Sequence, residues 1–226
     1  MKKTLTLFVS LTLLCAMTLS ASAQTAVDTI LSAGTTQAFK ADAIAEDDLN
    51  IILQAGLSTA SAINQQPWHF AVITNQAIME EIGGAMSMGG APAGASAPTD
   101  SANTPEDMPK MPASTGAKAG LGDSPVAIVV YMNESTPSPD ESFDCGLATQ
   151  NMVIASNALG YGTKIVSAPT MALNGDQHDE ICEKLGVDKA YNAVAVLLLG
   201  YTDTEVDGSS GASTRSTMDE KVSFIK

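Results

Sequence analysis

The stretch STASAINQQPWHF, residues 58–70, gathers hydroxyl and amide side chains, Ser61, Asn64 and Gln66 among them, just before a proline and the only tryptophan of the chain. Such groups donate and accept hydrogen bonds without carrying net charge, which suits the polar edge of a flat heterocycle. They equally suit a helix end, where hydroxyls and amides satisfy orphan backbone groups in a tight turn. Other chemistry-bearing residues are sparse. His69, at a strand entry, reads as a partly buried structural histidine, and His178, amid Asp176, Asp179 and Glu180, as a surface residue. Cys145 and Cys182 each fall in a helical pattern; buried free thiols are the favoured reading, and a disulfide stays open. No His/Cys spacing points to a metal. Met86, Met88, Met108 and Met111 could offer thioethers to Cu(I), but with no His or Cys beside them incidental packing is the better reading. No catalytic residue is assigned.

The elements that must position these groups follow from periodicity. From Glu46, EDDLNIILQAGLSTAS carries acids in its first turn and Leu49, Ile52, Leu53, Leu57 and Ala60 on one helical face. Pro67 biases Gln66 to an extended conformation, so the polar stretch starts at a helix end and feeds a strand, HFAVIT. A short helix is expected over 76–82, with Ile78, Met79 and Ile82 inward. Residues 83–122, rich in Gly, Ala, Pro, Ser and Met, read as an insertion or lid. PVAIVVYM is a continuous apolar run suited to a strand covered on both faces. ESFDCGLATQNMVIASNALG is the central helix, with Phe143, Leu147, Ile154 and Ala158 as its stripe, Asp144 serving its first turn and Gly160 and Gly162 closing it. TKIVSA (strand), GDQHDEICEKLG (helix) and AYNAVAVLLLGY (strand) follow, and MDEKVSFI could dock as a final short element. Alternating helices and strands place the chain in a mixed α and β class around one sheet.

The chain has 226 residues, with 11 basic against 25 acidic side chains and a net charge of −14, which disfavours nucleic acid and anionic membranes as partners. Lys2 and Lys3 precede an apolar run from Leu5 to Leu19, and Ala21-Ser22-Ala23 supplies a small-residue cleavage pattern, so residues 1–23 read as an export signal. A lipoprotein processed at Cys15 ranks second. Residues 24–226 are expected to form one domain, exported to a periplasmic or extracellular space, with no membrane contact after signal cleavage.

The string Ser61-Ala62-Ile63-Asn64-Gln65-Gln66-Pro67-Trp68-His69-Phe70 resembles the nitroreductase family, whose members carry Ser-x-x-Asn-x-Gln-Pro-Trp at a helix end leading into a strand. The resemblance extends to Asp144 opening a long helix with Gln150-Asn151 and ending Ala158-Leu159-Gly160-Tyr161-Gly162. It extends further to AVAVLLLGY and to Arg215 ahead of MDEKV. It implies an α+β fold with a central, mostly antiparallel sheet flanked by helices, an intertwined homodimer and FMN at each subunit interface. It also implies two-electron reduction of a quinone, nitroaromatic or similar small-molecule acceptor, with NAD(P)H a candidate donor. An exported member calls for a donor outside the nicotinamide pool. Ser61, Asn64 and Gln66 would then meet the isoalloxazine and ribityl chain, with Trp68 as packing anchor behind them.

Family members usually carry basic-x-Ser-x-basic-x-aromatic near the N-terminus, whose cations hold the FMN phosphate. Aligning the aromatic to Phe39 puts Ala33, Thr35 and Gln37 at those positions, of which Thr35 and Gln37 retain neutral donors. Arg215 matches the closing phosphate-binding segment, while Ser213 stands where a lysine often lies. Each lost charge-assisted bond is worth ~1.5–3 kcal/mol. Lys40 and Lys164 are candidate replacements that sequence alone does not place. Tyr161 could approach a cofactor or simply pack at a helix end, and Ala168 and Pro169 fall where the family's loop presents backbone N–H groups. The competing expectation is a binding module without turnover that holds a flavin-like ligand.

Overall fold

The computed structural model describes residues 26–88, 121, 124–134, 140–205 and 215–225. Its elements are α1 (26–32), α2 (Glu46–Leu57), β1 (Trp68–Ile73), α3 (Gln76–Met88), β2 (Val126–Asn133), α4 (Glu141–Ala158), β3 (Gly162–Val166), α5 (Thr170–Leu173), α6 (His178–Leu185), β4 (Tyr191–Gly200) and α7 (Met218–Lys221). The four strands form one antiparallel sheet in the order β1-β2-β4-β3. The two most apolar runs, β2 and β4, take the centre, where both faces are covered, as the continuous hydrophobicity of PVAIVVYM requires. A bulge in β4 shifts the register between Val130 and Tyr131, whose partners are Ala195 and Ala193. Asn174 secures the bulged strand, its side chain accepting from Ala193 N and donating to Ala193 O, both at 2.8 Å.

Two hydrophobic layers sandwich the sheet. On one face α2 and α4 pack Ile52, Cys145, Ala148 and Met152 against Trp68, Ile128, Val130 and Leu197. On the other, α3, α5 and α6 pack Met79, Ile82, Leu173, Ile181 and Cys182 against Ala71, Val129, Tyr131 and Leu198. The two cysteines therefore lie on opposite faces of the sheet, and both are free and buried. Burial, with Asp144 and Glu141 adding to it, pushes the Cys145 thiol up to about 12, so it stays protonated and inert.

Several sequence expectations are corrected. Helix α3 continues to Met88, so the segment set aside as an insertion from residue 83 begins as helix. Near its other end Leu121 is buried in the core, while Met108 and Met111 lie outside the described residues, as does the leader at 1–23. In α2, Ile52 and Gly56 are buried but Leu57 is 49 % exposed, because Leu57 stands about 100° around the helix from Gly56, outside the inward face. The central helix faces the other way from its expected stripe: Asp144, Cys145, Ala148, Thr149, Met152, Val153 and Ser156 are buried, while Phe143 is 64 % and Leu147 39 % exposed. Small residues win the inward face because α2 and β2 approach closely there. Met152 Cγ lies 2.9 Å from where a side chain on Gly56 would begin.

His69 is exposed, with its ring edge-on to that of Tyr191 in β4 at 5.8 Å. His178 is no loose surface group. Its Nδ1 meets Leu173 O at 2.8 Å and its Nε2 meets Lys189 O at 3.0 Å, stapling α5, α6 and the turn before β4. Among the described residues no helix is long and apolar enough to cross a membrane, and no group of His, Cys, Asp and Glu is arranged to hold a metal.

Candidate functional site

The polar stretch forms a lip between the end of α2 and the start of β1. Three non-glycine residues within it hold left-handed backbone conformations: Ile63 (φ 45), Asn64 (φ 60) and Gln66 (φ 49). For a β-branched residue such as Ile63 this is a true outlier, and each such residue costs on the order of 1–3 kcal/mol unless its surroundings over-determine it. The surroundings do so here. Ser61 Oγ accepts from Gln66 N at 2.9 Å, Ala62 N donates to Asp144 Oδ2 at 3.0 Å, and Asn133 N donates to Pro67 O at 2.9 Å. Behind the lip Pro67 and Trp68 are buried, and the indole lies parallel to Phe70 with centroids 6.4 Å apart. Trp68 is thus the anchor expected of it.

Constrained this way, the backbone leaves the Asn64 and Gln66 side chains exposed, while the Ser61 hydroxyl is engaged inside the turn. Asp144, expected to serve the first turn of its own helix, instead sits 4 % exposed and holds the lip. Gln65, which sequence reasoning passed over, buries an Oε1 that has no hydrogen-bond partner among the described residues, an acceptor in reserve. The Asn-x-Gln spacing around it was the signal available.

A second polar patch lies at the opposite edge of the sheet. The N-terminal segment runs alongside β3 and the end of β4: Thr36 N donates to Thr163 O at 2.8 Å, Phe39 bridges Thr202, and Lys40 N donates to Tyr201 O at 2.8 Å. Alternation along this extended segment turns Thr36 inward and leaves Thr35 and Gln37 exposed. Ser32, Gly34 and Thr36, with Asn157, Tyr161 and Thr202, line a polar cleft of about 280 Å³ on the side away from Thr35 and Gln37. Lys164, from β3, reaches Gln37, its Nζ 3.3 Å from Oε1. Tyr161 is buried at the end of α4 and donates to Asp48 Oδ2 at 2.6 Å, a bond that holds its hydroxyl well above the usual range. Tyr161 thus packs at the helix end, as one of its two readings expects, and also lines the cleft.

Gly162 makes the close approach of the segment possible. A Cβ there would lie 2.2 Å from both Thr36 Oγ1 and Thr202 Oγ1, which are 3.2 Å from each other. Gly162→Ala is expected to lower stability by about 1–3 kcal/mol, measured as a shift of the denaturant midpoint, because the overpacked methyl must push the segment off β3.

The two patches do not meet within one chain. Trp68 lies opposite Met132 and, through it, Asn192, whereas Thr163 lies opposite Leu199. With ~3.3 Å per residue along a strand and ~4.8 Å between strands, the lip and the N-terminal segment are roughly 25 Å apart, farther than one flavin nucleotide bridges. Thr35 and Gln37 are brought together, and so are Ser61, Asn64 and Gln66, but not the two sets. Arg215 is exposed just ahead of α7, whose capping box joins Thr217 and Glu220; Ser213 lies outside the described residues. Ala168 and Pro169 lead into α5, where Thr170 N and Met171 N are spent on Ser167 O and Ala168 O.

The donor set suits a flavin. Neutral amides stand at one patch for a ring with both donors and acceptors, and a cation with an amide stands at the other for negative charge.

Comparison with known proteins converges on one family. A model of the nitroreductase family matches residues 30–201. A protein of Methanothermobacter thermautotrophicus, provisionally named an NADH dehydrogenase/NAD(P)H nitroreductase, is 28% identical over 121 residues, 53% of this chain. The match spans only 48% of that relative's own length. A protein of the same provisional name from Archaeoglobus fulgidus is 25% identical over 167 residues, 73% of this chain and 78% of the relative. The fold is shared with a nitroreductase with bound FMN from Bacteroides fragilis, at TM-score 0.66 and 18% identity over 89% of this chain and 98% of that one. It is shared equally with one from Desulfitobacterium hafniense, at TM-score 0.69 and 18% identity over the same shares of the two chains. The chain belongs to the nitroreductase family.

Proposed function

We propose that this protein is an exported, FMN-dependent oxidoreductase that works as a homodimer and delivers two electrons to a quinone, nitroaromatic or similar small-molecule acceptor. In this reading residues 24–226 are the working domain and residues 1–23 the export signal. The observation that carries it is the strained lip. Strained non-glycine residues cluster where side-chain positions serve a function, and of the three left-handed residues here Asn64 and Gln66 present exposed amides. Each cradle would take Asn64 and Gln66, braced by Ser61, from one protomer and Thr35 and Gln37 from its partner, with Arg215 as a further contact for the phosphate. Two copies remove the separation that a single chain leaves. FMN would supply the redox chemistry, and the protein's own groups bind the ring, orient it and leave one face open to donor and acceptor in turn.

The exposed pair on α4, Phe143 and Leu147, supports the second copy, being apolar side chains on a helix face left exposed among the described residues. The relatives' names offer NAD(P)H as donor. The leader favours a reductant available outside the cytoplasm, and comparing NADH, NADPH and a reduced quinol as donors to the purified protein would choose between them. The decisive experiment is titration of the protein with FMN, followed by visible absorbance and by light scattering. A perturbed flavin spectrum at micromolar FMN on a dimeric protein is expected, and no binding at that concentration would end the proposal.

A second reading rests on one observation: Ala33 and Gln37 carry no charge at the two positions where the family usually places cations. A flavin-binding protein without turnover would then bind FMN but fail to pass electrons from dithionite-reduced flavin to a quinone or nitroaromatic.

A further inference from the structure

Positions 33 and 37 carry no positive charge, and the strand beside them brings a lysine to Gln37. The bond from Thr36 N to Thr163 O fixes the register between segment and strand, so that Gln37 falls within reach of Lys164, with Nζ 3.3 Å from Oε1. Two other lysines face carboxylates: Lys184 pairs with Glu81 and Glu180, and Lys189 with Asp179. Lys164 instead meets a neutral amide, in a chain whose net charge is −14. A half-buried ammonium with an amide for partner keeps its full charge for a further ligand, where one paired with a carboxylate does not. With its carbonyl oxygen turned to the lysine, Gln37 directs its NH₂ end elsewhere. The pair thus sets a point charge beside planar N–H donors, two properties that a single arginine would combine.

We infer that Lys164 and Gln37 together form the anion-recognition element of the flavin cradle, a divided replacement for the basic side chain lacking at position 37. The inference rests on the flavin reading above and adds to it the residue that carries the charge. The shared chemistry is an anionic oxygen, and FMN offers two sources, its phosphate and the pyrimidine end of its ring.

The test is flavin affinity, measured by fluorescence quenching for the wild type, Lys164→Gln, Lys164→Arg and Gln37→Leu, each with FMN and with riboflavin, and at low and high salt. Circular dichroism melts confirm that each variant folds. Lys164→Gln is expected to weaken FMN binding by about tenfold or more, the worth of one charge-assisted bond. Its affinity should also respond less to salt than that of the wild type. Lys164→Arg should retain affinity, and Gln37→Leu should lose less than Lys164→Gln.

A loss confined to FMN assigns the pair to the phosphate. A loss shared by riboflavin, with a lowered midpoint potential of the bound flavin, assigns it to the ring. Wild-type FMN affinity in folded Lys164→Gln overturns the inference while leaving the flavin reading intact. Failure of the wild type itself to bind FMN removes both, and is told apart because it shows before any substitution is made.

Discussion

Phe143→Glu combined with Leu147→Glu is expected to give a folded monomer that no longer binds flavin. Both side chains stand on the outward face of α4, 64 % and 39 % exposed, so neither contributes much to the monomer's core and the helix keeps its buried face of Cys145, Ala148 and Met152. In a dimer they would be covered, each apolar side chain contributing ~1.5–3 kcal/mol on burial. A glutamate forced into the same contact costs more than that again in lost hydration. Together these terms raise the dimer dissociation constant by at least about a hundredfold. Because the lip and the N-terminal segment lie at opposite edges of one sheet, a monomer would hold only half of each proposed cradle, and flavin affinity should fall together with dimerisation. Light scattering and FMN titration on one preparation read both quantities. A variant that stays dimeric, or a monomer that binds FMN like the wild type, would refute the shared cradle.

Asp144→Ala comes next in size. The carboxylate is buried and its Oδ2 is the acceptor for Ala62 N, one of three bonds that hold Ile63, Asn64 and Gln66 in left-handed conformations. Its removal leaves a partly buried N–H without that acceptor and lets the strained turn relax, so stability should change by only ~1–3 kcal/mol, the lost bond being partly offset by released strain. Flavin affinity should fall further, by about tenfold to a hundredfold, because Asn64 and Gln66 then lose their fixed positions and must be ordered on binding. Asp144→Asn, which keeps an acceptor oxygen, should recover part of the loss. A thermal melt alongside FMN titration separates the two effects. Unchanged affinity in a folded Asp144→Ala protein would show that the lip needs no such brace.

The Gln-Pro-Trp string and its place between a helix and a strand were legible because they depend on local rules. The helical pattern ends ahead of Pro67, the residues after it alternate, and a large aromatic seeks burial. The strands 126–133 and 191–200 and the core residues Met79 and Ile82 were legible for the same reason. The orientation of α4 was not. Apolar residues occur around the whole helix, and hydrophobicity cannot say which of two apolar faces meets the protein's own sheet. The close approach of α2 at Gly56 selects the face with small residues.

The sequence by itself determined the family, the order of the elements, the polar lip with its buried tryptophan and the absence of basic residues at 33, 35 and 37. Each of these is written in neighbouring residues or in a short repeat of side-chain type. Only the tertiary structure decided that Asp144 braces a turn 82 residues earlier in the chain, that Lys164 stands beside Gln37 across 127 residues, and that the two halves of the proposed cradle lie at opposite edges of one sheet. Such pairings follow from strand order and register. Those are chosen by the packing of the whole core, and no local stretch of residues encodes them.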